Sequence, residues 1–242
     1  MQIPTLAGVI ERRILANYRV DPSCMTAVLP PPFRPQLVDG FAIGGICLIR
    51  LKRIRPKRIP ILWGFASENA AHRIAVEWDA NGQTQHGVFV PRRDTNSKLN
   101  ALVGGRIFPG IHHRATFNVA ENGNRYSVAM HSLDGEVLVR VDGSVASGLP
   151  DSSIFKTLES ASEFFRLGSF GYSATPKQGT FDALELDCKN WQVEPLHVDA
   201  IQSSYFENER LFPPNSIEFD CALLMRNIDH EWHGRESLCC PA

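Results

Sequence analysis

The segments HRIAVEW (residues 72–78) and HGVFV (residues 86–90) flank Asn81-Gly82, an arrangement typical of a β-hairpin. Apolar and polar residues alternate in the first segment, as they do in a strand with one buried face. Asn-Gly is the dipeptide that a tight turn between two antiparallel strands prefers. The sequence therefore predicts that a hairpin forms in the first half of the chain and that the fold is rich in strands.

Strand patterns continue on both sides of this hairpin. They cover residues 9–20, 40–51, 115–119, 125–131, 136–141, 181–188, 191–198 and 217–226. A chain with many strands and few helices predicts a closed or strongly curved antiparallel sheet. The expected class is α+β, dominated by β-structure.

Three short helices are predicted between the strands. The first follows Asp21-Pro22, the second passes through Leu99 and Leu102 to Gly104-Gly105, and the third ends at Gly168. The third begins either at a capping box made by Ser160 and Glu163 or earlier, near Ser153. No repeat or linker divides the chain, so residues 1–242 are expected to form a single domain.

Composition excludes several classes of protein. The formal net charge is -1, which argues against a protein built to bind nucleic acid. No apolar run approaches the ~20 residues of a membrane span, and residues 1–5 lack the pattern of a secretory signal. Apart from the adjacent Cys239 and Cys240, the six cysteines are widely spaced, so we expect reduced thiols and a cytoplasmic location. Two of them, Cys47 and Cys221, lie in apolar runs and are expected to be buried.

Sequence motifs for common cofactors and hydrolases are missing. The chain contains no P-loop, no GxSxG, no HExxH and no dinucleotide fingerprint in the required context. No cofactor and no metal are therefore expected.

The adjacent histidines His112 and His113 follow a glycine-rich stretch and precede a predicted strand. Histidine can act as a general acid, a general base or a metal ligand near neutral pH. Neighbouring residues on a strand point to opposite faces, so only one of the two is expected to face a given cavity. The alternative is a histidine that is simply packed or hydrogen-bonded in a half-buried strand.

A carboxylate at Glu68 is surrounded in sequence by small and apolar residues. If it faces a cavity, loss of water would raise its pKa toward a value useful in acid–base catalysis. If Arg12, Arg13 or Arg73 pairs with it, the pair is structural. The residues alone leave both interpretations open.

A set of short segments spread over most of the chain resembles a known family. The segments are Tyr18-Arg19-Val20-Asp21, Leu29-Pro30, Asp39-Gly40, Arg55-Pro56, Glu68-Asn69 with Arg73, Gly87-Val88-Phe89, Phe164 to Gly168, Gly171-Tyr172-Ser173 and Trp191 to Leu196. In this order they resemble the DUF2071 proteins, an uncharacterised family related to acetoacetate decarboxylase. The resemblance runs from about Glu11 to Trp232. It implies curved sheets that close into a cone or barrel around one interior cavity.

The resemblance also implies a departure from decarboxylase chemistry. In acetoacetate decarboxylase a Gly-Arg-Glu segment leads to a Lys-Lys pair, and one lysine forms a Schiff base with the keto acid. Here His112-His113 occupies the Lys-Lys place, Gly105-Arg106 falls one position late, and Glu68 falls near the active-site glutamate. Imidazole cannot replace a primary amine in a Schiff base. Schiff-base decarboxylation is therefore not expected.

Two functions stay open at this point. The protein is either a non-Schiff-base acid–base enzyme acting on a small oxo or carboxylate compound, or a sensor or carrier that binds such a ligand without turnover. The candidate catalytic residues are Glu68, His112 and His113. The candidate ligand-binding residues are Arg12, Arg73, Arg106 and Tyr172. The expected partner is a small molecule, and a homo-oligomer is an option that the sequence leaves open.

Overall fold

The computed structural model describes residues 5–57, 64–103 and 109–240, and strands dominate it. The strands are β1 (Leu6–Val20), β2 (Arg34–Pro35), β3 (Leu37–Val38), β4 (Phe41–Pro56), β5 (Phe65–Ala80), β6 (Gln83–Thr95), β7 (His112–Asn122), β8 (Arg125–Ser132), β9 (Leu138–Val145), β10 (Phe170–Ala174), β11 (Thr180–Cys188), β12 (Glu194–Ser203) and β13 (Ile217–Cys239). The helices are α1 (Pro22–Val28), α2 (Lys98–Val103) and α3 (Leu158–Leu167). Strands make up 62% and helices 10%, which confirms the β-dominated α+β class.

Strand pairing closes on itself along two routes that share five strands. The shared strands, in the order β13-β1-β4-β5-β6, are called the central wall below. One route continues from β6 through β7, β8, β9 and β12 back to β13. The other continues from β6 through β10 and β11 back to β13. Most neighbours are antiparallel, but β6 pairs in parallel with both β7 and β10, so the expected antiparallel arrangement holds only in part.

The central wall has two faces because side chains alternate along each strand. One face carries Ile14, Ile46 and Ile74, which belong to the larger buried core. The other face carries Leu15 and Cys47, which belong to a second core that includes residues of α3. One set of strands thus supports two separate packing layers.

Some element ends differ from the sequence predictions for local reasons. Helix α3 begins after the N-cap Thr157, whose capping box is completed by Ser160, so the box predicted with Glu163 is wrong. Strand β13 continues beyond its predicted end at residue 226 to Cys239. Asn227 adopts a φ of 55°, which asparagine tolerates, and the strand does not end there. Strand β10 was not predicted. The predicted end of α2 at Gly104-Gly105 lies outside the described residues.

Two further sequence expectations can be compared with the structure. All six cysteines are unpaired, and Cys47 and Cys221 are buried. Within residues 5–57, 64–103 and 109–240, no helix is both long and apolar enough to cross a bilayer.

A buried histidine predicts that the fold loses stability in acid. His72 is fully buried against Tyr205 and Phe206, and its ring nitrogens have no hydrogen-bond partner among the described residues. Burial, aided by the charge of Arg92, lowers its pKa to about 3. The unfolded chain therefore binds a proton that the folded chain excludes. The free energy of unfolding therefore keeps its full value above about pH 6.5, as far as this group is concerned, and decreases as the pH falls toward 3.

Below pH 6 we expect the free energy of unfolding to fall less steeply with pH in His72→Phe than in the wild type, by up to about 1.4 kcal/mol per pH unit. Urea unfolding at pH 7 and at pH 4.5 measures the change. The exposed His131, changed to Phe in the same way, is the matched control and should leave the slope as it is. Equal slopes in the wild type and in His72→Phe would contradict the prediction.

Candidate functional site

A pocket of about 330 Å³ lies on the face of the central wall that packs against α3. Every strand of the route through β10 and β11 contributes to its lining. The walls are largely apolar, and the side chains that can perform chemistry include Arg13, Cys47, Arg73, Arg93 and His112. Apolar walls with a few converging polar groups are typical of small-molecule sites.

Strand alternation and one bulge turn the arginines toward the pocket. Along β1 and β5, Arg13 and Arg73 point away from the core that holds Ile14 and Ile74. On β6 an extra residue interrupts the pairing with β5, since His72 lies opposite Arg92 and Ile74 opposite Phe89. This bulge shifts the alternation, so that Arg93 rather than Arg92 lines the pocket.

Arg73 and Arg93 are held in place by neutral partners. Arg73 donates from Nη2 to Asn17 Oδ1, and its guanidinium lies 4.8 Å from the centroid of the Phe165 ring. Arg93 donates from Nε and Nη2 to Ser173 Oγ, at 3.0 and 2.9 Å. Burial lowers the pKa of each guanidinium to about 10, so both stay cationic at neutral pH.

Arg13 also lines the pocket, and Arg13, Arg73 and Arg93 together are called the arginine cluster. Arg13 donates from Nε to Cys47 Sγ at 3.3 Å and lies 5.8 Å from the centroid of the Trp191 ring. Each member is thus fixed by sulfur, aromatic, amide or hydroxyl groups.

The positive charge of the arginine cluster is not compensated by acidic side chains. Within the described residues none of its members forms an ion pair. The residues outside the described ranges include no Asp or Glu that could supply one. Asp94, the carboxylate among the described lining residues, is bound by Arg92 at 3.0 Å. A low-dielectric pocket with uncompensated guanidinium groups favours an anionic ligand.

Of the two histidines, His112 lines the pocket and His113 does not. His112 Nδ1 lies 3.2 Å from Gly110 O, and since a carbonyl only accepts, Nδ1 is the donor and Nε2 carries the lone pair. Burial, with the charge of Arg93, lowers the pKa of His112 to about 4, so the ring is neutral at pH 7. His113 Nδ1 lies 3.0 Å from Asp134 Oδ2.

Glu68 does not share the pocket with His112. It alternates with Ser67 and Asn69, which line the pocket, and therefore points to the opposite face of β5. There it accepts from Arg12 Nη2 at 2.6 Å and from Arg50 Nε at 2.5 Å. The structure thus shows the ion-pair alternative, with Arg12, one of the three arginines expected from the sequence, and with Arg50, which was not expected.

Two of the remaining candidate residues, Arg12 and Tyr172, also have side chains that lie away from the pocket. Arg12 is 1% exposed and contacts Glu68 and Glu121 on the face away from the pocket. Tyr172 is 8% exposed and packs against Phe33 and Trp78, whereas its neighbour in β10, Gly171, lines the pocket. Arg106 lies outside the described residues. The structure therefore brings Arg73 and His112 together and leaves Glu68, Arg12, His113 and Tyr172 elsewhere.

Sequence reasoning missed Arg93 and gave Arg13 and Cys47 other roles. For Arg13 the sequence did contain a signal. Arg13 directly precedes the apolar Ile14 on a predicted strand, and a residue that precedes a core position points away from that core. No comparable signal existed for Arg93, since its orientation depends on the bulge in β6.

Comparisons with known proteins agree on a family and a fold. The model of the DUF2071 family, described as an uncharacterized conserved protein, matches residues 10–224. No curated protein sequence matches the chain. Three similar solved structures have 10–11% sequence identity, and at this level the likeness shows the fold alone.

The first of these structures is an acetoacetate decarboxylase-like enzyme from Sphingomonas wittichii RW1, with 10% identity, a TM-score of 0.59 and coverage of 100% of this chain and 94% of that chain. The second is acetoacetate decarboxylase from Legionella pneumophila, with 11% identity, a TM-score of 0.59 and coverage of 98% and 87%. The third is the enduracididine biosynthesis enzyme MppR complexed with pyruvate, with 10% identity, a TM-score of 0.55 and coverage of 98% and 90%.

Proposed function

The chain belongs to the DUF2071 family, and we propose that it binds a small carboxylate compound in the pocket and acts on it as a non-Schiff-base acid–base enzyme. The observation that carries the proposal is the uncompensated charge of the arginine cluster. Guanidinium groups bind carboxylates through strong, charge-assisted hydrogen bonds. No lysine occurs among the described residues that line the pocket, in keeping with chemistry that needs no Schiff base.

An oxo acid is the ligand class that suits these walls. Its carboxylate would bind to the arginine cluster, and its short carbon chain would contact the apolar lining. The fold-related MppR has been solved complexed with pyruvate, a short oxo acid. We therefore take pyruvate as the probe ligand.

His112 is the proposed general base. At neutral pH its ring is uncharged, and the tautomer that donates from Nδ1 makes Nε2 the basic nitrogen, which would take a proton from the carbon next to the ketone. The positive charge of the arginine cluster would stabilise the enolate that forms. A bound carboxylate would also raise the pKa of His112 from about 4, because an opposite charge favours the imidazolium.

Binding without turnover is the second candidate function. It is favoured by the position of Glu68, since the carboxylate expected to work with His112 lies on the other face of β5. A pocket with one weakly basic imidazole can bind an anion without changing it. Such a protein would act as a sensor or carrier.

Deuterium exchange distinguishes these functions. The methyl protons of pyruvate exchange in D₂O when the ketone is enolised, and proton NMR follows their loss, while calorimetry measures binding. We expect His112→Gln to retain binding and to slow exchange by about 10²- to 10⁴-fold, the usual contribution of a general base. His113→Gln is the matched control, because its side chain lies outside the pocket.

Each outcome of this experiment selects one function. Binding with exchange that depends on His112 supports the enzyme, and binding without exchange supports the sensor or carrier. Failure to bind pyruvate, acetoacetate and other short oxo acids would contradict both.

The proposal also covers organisation and location. We propose a single domain over residues 1–242, supported by the pairing of β1 with β13, which joins the two ends of the chain. We also propose a cytoplasmic location, supported by the six unpaired cysteines.

A further inference from the structure

A thiol, Cys47, lies beside the arginine cluster and has no role in the function proposed above. On β4, Cys47 is paired with Leu15 of β1 and with Ala71 of β5. The register continues from Ala71 to Arg93 on β6 and from Arg93 to His112 on β7. Cys47, Ala71, Arg93 and His112 thus form one row across four neighbouring strands, and only a methyl group separates Cys47 from Arg93.

Members of the arginine cluster lie next to Cys47. Arg13 Nε donates directly to Cys47 Sγ at 3.3 Å. Arg73 is paired with Gly45, two residues before Cys47 on the same face, so no side chain intervenes there.

A second observation indicates that this part of the pocket accepts a ligand. Arg73 is 7% exposed, and its Nε has no hydrogen-bond partner among the described residues. A buried donor without an acceptor is costly, and a bound oxygen atom would relieve that cost. Cys47 itself lines the pocket, so a ligand held there could reach the sulfur.

We propose that Cys47 is a nucleophile that attaches covalently to small carboxylates carrying an electrophilic carbon. The proposal rests on the proposed function, because the arginine cluster must first hold the carboxylate. With an oxo acid, sulfur bonds to the ketone carbon, the C=O π bond breaks, and the thiol proton ends on that oxygen. The product is a reversible hemithioketal, and neither an oxidant nor a reductant is consumed.

Two physical effects favour this reaction. The arginine cluster holds the electrophile near the sulfur, which turns a bimolecular step into a local one. The same positive charge stabilises the negative charge that passes from sulfur to oxygen during attack. The first effect requires a negatively charged reagent, and this requirement can be tested.

Iodoacetate and iodoacetamide provide the test, because they differ only in a carboxylate and an amide. Each alkylates a thiol by forming an S–C bond, with loss of iodide and release of the thiol proton. An exposed thiolate repels iodoacetate, so the rate ratio of iodoacetate to iodoacetamide is expected to lie below one at Cys239, which is exposed. We expect a ratio above one at Cys47, measured by peptide mass spectrometry on the folded full-length protein.

Variants identify the origin of the ratio. Arg93→Gln should lower the Cys47 ratio at least tenfold. Arg210→Gln removes the same charge from an exposed position and should leave the ratio unchanged. Cys47→Ala should abolish labelling at this peptide.

The outcomes separate this proposal from the proposed function. A Cys47 that both reagents label only after unfolding, or that shows the same ratio as Cys239, would overturn the nucleophile while pyruvate binding stands. Failure of the wild type to bind pyruvate, acetoacetate and other short oxo acids would overturn the proposed function instead. A ratio above one that falls in Arg93→Gln supports the covalent site.

Discussion

Replacing Arg12 with methionine is expected to lower the free energy of unfolding by about 3–5 kcal/mol, the usual cost of breaking a buried ion pair from one side. Arg12 is 1% exposed and bridges Glu68 at 2.6 Å and Glu121 at 2.5 Å. Without it, Glu68 is left in a buried site with Arg50 as its remaining cationic partner among the described residues. Urea unfolding of the variant at pH 7 measures the loss.

Two comparisons isolate the buried charge as the cause. Arg12→Met/Glu68→Gln removes the charge on both sides and should be less destabilised than Arg12→Met alone. Arg125→Met breaks an exposed pair with Asp199 and should have little effect. If Arg12→Met costs no more than Arg125→Met, the network is not a source of stability.

The second large effect concerns ligand affinity. Arg93→Gln is expected to weaken pyruvate binding about 10- to 150-fold, since a hydrogen bond to a charged group contributes about 1.5–3 kcal/mol. Glutamine can still donate to Ser173 Oγ, so the local structure has a replacement for the lost contact. Calorimetry with pyruvate and with its uncharged amide measures the effect, and only pyruvate should respond.

Charge-matched variants complete that experiment. Arg93→Lys keeps the positive charge and should recover part of the affinity, although lysine lacks the planar fork of arginine. Arg210→Gln changes net charge equally at an exposed position and should bind as the wild type does. Equal loss in Arg93→Gln and Arg210→Gln would show that overall charge, and not the pocket, attracts the anion.

The sequence predicted most of the fold because its strands are strongly patterned. The hairpin around Asn81-Gly82 was correct in type and position, and both residues have the positive φ that its turn requires. The parallel pairings of β6 with β7 and β10 were not predicted, since neither is joined to β6 by a local turn. Long-range register of this kind has no signature in a short sequence window.

The candidate site was harder to predict, because a shift of one residue reverses which face a side chain occupies. Glu68 and Asn69 are adjacent, yet Asn69 lines the pocket and Glu68 contacts Arg12. Resemblance to the decarboxylase family drew attention to Glu68 and to His112-His113, and it could not determine orientation. A single bulge in β6 then decided that Arg93, not Arg92, would enter the pocket.

The two-faced central wall has a consequence for how ligand preference can change over evolution. On each of its strands, residues that line the pocket alternate with residues that pack in a core, as Arg13 does with Ile14 and Arg73 with Ile74. Substitutions at the first set can accumulate without opening voids in the larger core. A lineage can therefore acquire new specificities on one side of a sheet whose other side is conserved for folding, and designed libraries can follow the same division.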